Sequence, residues 1–221
     1  MPKIVDHEAR RAVVLEATWR VIARLGIERT TTREIAKEAR CSTGVLAHYF
    51  RSKDEILRLA LDYAHAHVRD RVRALLDRAS GVSVLRAVLA ESLPLDEPRQ
   101  LELTLEVSFW ARAVVQTHLR ASQHADYDRW HTVVKALVEE AKTMGEFPEG
   151  LDTDAAATQL VTFVDGLGVD ALLYPERFPP GALHALLDRQ LGMMGAALPS
   201  RRLRRARRVR VNPRPSPTLS R

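Results

Sequence analysis

The stretch from Thr30 to Lys53 lies in the basic N-terminal end of the chain, and a basic end can hold a polyanion. It carries hydroxyls at Thr30, Thr31, Thr32, Ser42, Thr43 and Ser52 and cations at Arg33, Lys37 and Lys53. Such groups, with helix N-termini, grip phosphate oxygens without any covalent step. Gly44 adds a place where a backbone could come close to a partner. A second set is aromatic. Only 5% of the chain is Phe, Trp or Tyr, yet Phe109, Trp110, Tyr127, Trp130 and Phe163 fall in its middle. With His65, Gln116, His131 and Asp165 as polar candidates, they could wall a small-molecule pocket, although core packing competes for every one of them. If the ligand were a quaternary amine, Trp110, Trp130 and Tyr127 could hold it by cation–π attraction.

Other chemistries find no support. The chain has eight histidines, but His65 and His67 are two apart and point to different helix faces. There is no His-Glu-x-x-His and no cysteine pair, so no metal is expected. Neither a Gly-rich phosphate loop nor a Gly-x-Ser-x-Gly elbow occurs. Asp126 and Asp128 suit a solvated helix turn better than an acid/base pair. The single cysteine, Cys41, reads as a small packing residue in a turn. No cofactor is expected, and the reading favours a binding protein over an enzyme. Two other classes stay open: an all-α enzyme using His and Asp residues of its bundle, and a DNA-coating protein driven by the basic C-terminal end.

The elements that must position these residues are helices, because apolar residues recur at helical spacing throughout. Val14, Ala17, Val21 and Leu25 share a face of a first helix from Asp6 to Leu25, stopped by Gly26. Thr31 and Glu34 form a capping box for a helix over Thr32–Ala39. Arg40-Cys41-Ser42 makes a turn, and Ser42 caps a second short helix over Thr43–Phe50. Ser52 and Glu55 form another capping box, opening a long helix over Lys53–Ala79. Further helices are expected near 82–92, 97–117, 121–144, 153–174 and 180–197, punctuated by Pro and Gly.

Helix, three-residue turn, helix is the spacing of a helix-turn-helix, whose second helix enters the DNA major groove. Ile35 and Ala36 can pack on Leu46 and Phe50, which turns Thr43, Gly44, Ala47 and His48 outward. The expected fold class is therefore all-α. Residues 1–52 form a helix-turn-helix domain, 53–199 a helical ligand-binding and dimerisation domain, and 200–221 a disordered Arg-rich tail.

Charge follows the same division. Residues 1–55 carry 11 Lys+Arg against 8 Asp+Glu, residues 56–200 carry 14 against 20, and residues 201–221 carry nine Arg and no acid. The ends can meet a polyanion and the middle cannot. A lone helix-turn-helix covers little DNA, so two copies on adjacent half-sites are expected. Leu160, Phe163, Leu167 and Ala171 on one helix, and Leu183, Leu187, Leu191 and Met194 on the next, are the candidate four-helix dimer interface, with an intramolecular core as the alternative. Gly166 and Gly168 would let backbones approach. No apolar leader follows the N-terminal charges and no uncharged run is long enough to span a bilayer, so a cytoplasmic protein without membrane partners is expected.

The run TTTREIAKEARCSTGVLAHYFRSKDEIL resembles the DNA-binding segment of the TetR family of bacterial repressors. The likeness rests on Thr30–Thr32, Ile35-Ala36, Ser42-Thr43-Gly44, His48-Tyr49-Phe50 and Ser52-Lys53. Ala47 stands where the family often has Tyr, so a contact made by that Tyr does not carry over. Leu93-Pro94-Leu95-Asp96-Glu97, Phe109-Trp110, Tyr127–Trp130 and Val164–Leu167 are similar to the BetI-like branch, which implies a small-molecule effector and a homodimer. The resemblance implies that Thr31, Thr32, Thr43, His48, Tyr49 and Lys53 meet phosphate or sugar, and that Gly44, Val45 and Ala47 face the bases of a palindromic double-stranded operator. No Arg or Gln sits on the second short helix for bidentate base reading, which leaves part of the specificity to Arg33, Lys37 or DNA shape.

Overall fold

A computed structural model describes residues 7–197, with the side chains of His7 and His118 left out. The expectations for the tail at 200–221, and for a first helix beginning at Asp6, fall outside that range. Nine helices and no strand occur among the described residues: α1 (His7–Leu25), α2 (Thr32–Glu38), α3 (Thr43–Tyr49), α4 (Lys53–Leu76), α5 (Gly81–Ala90), α6 (Glu97–Val115), α7 (Thr117–Thr143), α8 (Thr153–Leu173) and α9 (Pro180–Met193). The chain is all-α, as its periodicity requires.

The helix starts follow their caps. Thr31 Oγ1 accepts from Glu34 N, Ser42 Oγ from Val45 N and Ser52 Oγ from Glu55 N, at 3.1–3.2 Å. Gly26 adopts φ +76°, which ends α1 in the left-handed conformation that glycine tolerates. The α2–α3 turn uses the same device without glycine. Arg40 takes φ +52°, its N–H reaches Lys37 O, and Cys41 N reaches Ala36 O. One difference is at α7, which begins at Thr117 rather than near 121. Only Gln116, with extended ψ, separates it from α6, so no loop signal was present to read.

Two apolar clusters hold the chain together. The first joins Val14, Trp19 and Ile22 of α1, Ile35, Leu46 and Phe50 of the short helices, Ile56, Leu57 and Ala60 of α4, and Leu105 and Phe109 of α6. The second is built from α5, α7, α8 and α9. α4 therefore begins in the first cluster and ends, at Val72, in the second. α8 is long and apolar enough to cross a membrane by length and composition, but eight of its residues, from Ala156 to Ala171, are buried in the core.

That packing corrects the expected dimer stripe. Leu160, Leu167, Ala171, Leu183, Leu187 and Leu191 are all buried within one chain, because α8 packs chiefly on α7 and also on α5, α6 and α9, while α9 packs on α5 and α8. Phe163 and Met194 pack half-buried against the same core. A Cβ at Gly168 would stand 2.9 Å from the Leu103 side chain of α6 and 3.5 Å from Ser92 O, so the glycine there makes room for a side chain, whereas Gly166 faces open space.

Candidate functional site

The short helices present a surface. Thr31, Thr32, Arg33, Lys37, Thr43, Gly44, Ala47 and His48 are exposed, while Leu46 and Phe50 are buried beneath α3. Val45 and Tyr49 are half-buried. The Tyr49 ring lies between those of His48 and Phe50, with centroids 5.2 and 6.5 Å away, so it supports the surface as well as bordering it. Lys53 is half-buried, and its ammonium donates to Ile27 O at 3.4 Å, holding the start of α4 against the end of α1.

A cavity of about 930 Å³ lies among α4, α6, α7 and α8. Of the nine residues expected to line it, His65, Trp110, Tyr127, Trp130 and Asp165 do so. The other four do not, and for the three on helices the reason is helical geometry, which turns adjacent residues about 100° apart. Phe109 points into the first apolar cluster while Trp110 faces the cavity. His131 turns away from Trp130, and its Nε2 lies 3.0 Å from Thr158 Oγ1. Phe163 packs on the second cluster. Gln116 sits at the α6–α7 break and accepts from Arg112 at 3.4 Å.

The cavity floor holds charges that sequence reasoning missed. Glu106 of α6 accepts from His65 Nε2 at 2.5 Å, Trp110 Nε1 at 2.7 Å and Gln123 Nε2 at 3.1 Å. Burial pushes the Glu106 carboxyl up, but His65 and the other donors outweigh it and hold the group below its usual range. Burial likewise opposes a charge on His65, yet the Glu106 bond and the charges of Glu106, Asp126 and Asp62 leave its pKa raised. Asp126 is 3.9 Å from His65 Nδ1, and burial raises its carboxyl. Asp165 is pushed up to about 7, first by burial and then by the Glu106 charge. Toward α5, Arg71 donates to Glu91 at 2.6 Å and bidentately to Glu102 at 2.9 and 2.5 Å, and Arg99 returns to Glu91. A signal for these residues existed: Arg99, Glu102, Glu106, Trp110 and Ala113 recur at spacings of three and four, the stripe that α6 turns to the cavity.

The arrangement can take a ligand with an apolar body and a positive group. No group of three or more His, Cys, Asp or Glu residues placed to hold a metal ion occurs among the described residues.

Comparison with known proteins covers both halves. Residues 14–60 match the profile for bacterial regulatory proteins of the tetR family, and residues 81–196 match that of the BetI-type transcriptional repressor C-terminal domain. Among curated proteins, the chain is 36% identical over 179 residues to the HTH-type transcriptional regulator PksA of Bacillus subtilis (strain 168), covering 80% of this chain and 85% of that one. It is 31% identical to the HTH-type transcriptional regulator BetI of Burkholderia cenocepacia (strain HI2424), over 76% of this chain and 84% of that one. Among solved structures, a transcriptional regulator from Rhodococcus sp. Rha1 superposes with TM-score 0.73 at 30% identity, covering 84% and 97% of the two chains. A transcriptional regulator from Saccharomonospora viridis, solved in complex with choline, gives 0.77 at 27% identity, covering 84% and 96%.

Proposed function

We propose, from the premise that this chain belongs to the tetR family of bacterial regulatory proteins with a BetI-type repressor C-terminal domain, that it leaves its operator when an organic cation enters the α4–α6–α7–α8 cavity. The reading makes it a repressor, a homodimer and a cytoplasmic protein acting on palindromic double-stranded DNA. Residues 1–52 read the operator and 53–199 bind effector and partner, with α4 belonging to both clusters and serving as the lever between them.

The observation that carries this is the place of His65. It lies on the same helix whose first turn is set by Ser52 and Lys53, next to the surface offered by α3, and its imidazole is bonded to Glu106 on the cavity floor. A ligand that touches the floor therefore touches the lever. It can move the DNA-reading modules only if it prefers one of their two arrangements. The acidic floor, the Trp110, Tyr127 and Trp130 walls and the choline in the Saccharomonospora viridis relative favour a cation.

The second copy meets α8 and α9 on what the monomer leaves open. Phe163, Gly166, Val169, Leu173 and Met193 replace the buried leucines as the contact positions. The test is footprinting of the gene's own upstream DNA with the full chain, with and without added choline, tetramethylammonium and tetraethylammonium. A two-fold symmetric footprint lost on adding one of these supports the reading. A footprint without symmetry, or one that no cation disturbs, overturns it.

A further inference from the structure

The cavity's carboxylates are not equivalent. Glu91 and Glu102 are neutralised by Arg71 and Arg99 at the α5 side. Glu106 receives three donors, one of them His65. Asp126 is paired with Arg129 and lies near His65. Asp128, with the cations Arg69 and Arg120 and the imidazole of His124, stands exposed at the rim, where water screens it. Asp165 differs from all of these. It is the one titratable group that α8 turns into the cavity, it is half-buried, and no described residue donates to it or pairs with it. α9 also packs on α8, but none of His184, Asp188 and Arg189 lines the cavity, and Asp188 is bound to Arg86 of α5.

We propose that Asp165 is the anionic anchor for the positive group of the effector and that its proton leaves as the cation enters. The proposal rests on the reading of this cavity as an effector site for an organic cation. A half-buried carboxyl without donors, facing the Glu106 charge, is held by a proton while the cavity is empty. A fixed cation takes the proton's place as counter-charge. The carboxyl O–H breaks, its proton goes to solvent, and the resulting carboxylate pairs with the cation, so charge is conserved inside the cavity. Trp110, Tyr127 and Trp130 cover the cation's other faces. The site thereby selects fixed cations over neutral molecules of the same shape, and takes them more tightly as pH rises.

Supporting this, the Asp165 carboxyl titrates near neutrality, at about 7. Neighbouring His65 could mimic the effect by repelling a cation when protonated, so the test must separate the two. Tetramethylammonium, choline and tetraethylammonium are titrated calorimetrically into the full chain at pH 6, 7 and 8. Each is run in two buffers of different ionisation heat, beside 3,3-dimethylbutan-1-ol as choline's neutral isostere. At least one cation should bind roughly tenfold more tightly at pH 8 than at pH 6, releasing close to one proton at pH 6. The isostere should bind more weakly and without proton release. In Asp165→Asn the cation's affinity should fall and its pH dependence should flatten. No binding by any of the three cations at pH 8, binding without proton release, or an unchanged pH slope in Asp165→Asn would each overturn the proposal. The two-buffer measurement on the unaltered chain needs no variant to fold. A cation that binds with proton release but leaves the DNA footprint intact overturns the regulatory reading alone. A cation that clears the footprint without exchanging a proton overturns the role of Asp165 alone.

Discussion

His65 of α4 and Glu106 of α6, 41 residues apart in sequence, share a 2.5 Å hydrogen bond at the cavity floor. Each favours the other's ionised form, which raises the His65 pKa and lowers that of Glu106 against the opposing effect of burial. His65→Ala and Glu106→Gln are therefore expected to uncouple the protein. DNA affinity without effector should stay near that of the unaltered chain, while the change produced by saturating effector shrinks from the roughly 5–150-fold usual for such coupling to within about threefold. Fluorescence anisotropy on the footprinted DNA, with and without effector, reads both quantities. A full effector response in both variants would show that the signal runs by another route.

On the proposed reading, the α2–α3 surface makes two kinds of contact with DNA. Lys53→Ala removes a cation beside the module and its bond to Ile27 O, so it should weaken binding to every sequence alike and lower the slope of log K against log salt by about one. Ala47→Gln changes an exposed position on the outer face of α3 and should instead re-rank related operators, by about 1–3 kcal/mol at the affected base pair. Equal effects of both variants across a set of single-base operator changes would contradict the assigned roles.

Legibility in the sequence tracked local physics. Thr31, Ser42 and Ser52 announce helix starts because a cap is a contact three residues long, and all three close as expected. The cavity was half legible. Aromatics are noticed by type, but which of Phe109 and Trp110 faces inward depends on the phase of α6, and that phase is set by α1 packing on one side and α7 on the other. The acidic floor was hidden because a glutamate on a helix usually faces water, and Glu106 is told apart only by the His65, Trp110 and Gln123 donors that surround it. The leucines of α8 and α9 misled for a related reason, since one stripe cannot say whether its partner is the same chain or another.

The correction at α8 and α9 has its own test. Leu187→Ala opens a cavity in the monomer's core and should cost about 2–5 kcal/mol of stability, lowering the melting temperature whatever the protein concentration. Leu173→Glu places a charge on a side chain that is 63% exposed in the monomer, so it should leave the fold intact and halve the mass seen by sedimentation. A Leu173→Glu protein that stays dimeric would move the interface elsewhere.

Asp165 also makes a prediction about stability, independent of any ligand. Its folded carboxyl titrates at about 7, above the ordinary value of about 3.9 for an unfolded chain. Between those values the folded state holds a proton that the unfolded state has lost. Its contribution to stability is therefore full below the unfolded value and declines as pH rises through the folded one. Asp165→Asn keeps the shape of the neutral carboxyl without the titration. The two proteins should melt alike near pH 4, and by pH 8 the Asn variant should be the more stable, by roughly 1–3 kcal/mol. Melting curves at several pH values between these limits check the sign. A variant less stable than the unaltered chain at pH 8 would mean that the Asp165 carboxylate has a stabilising partner after all.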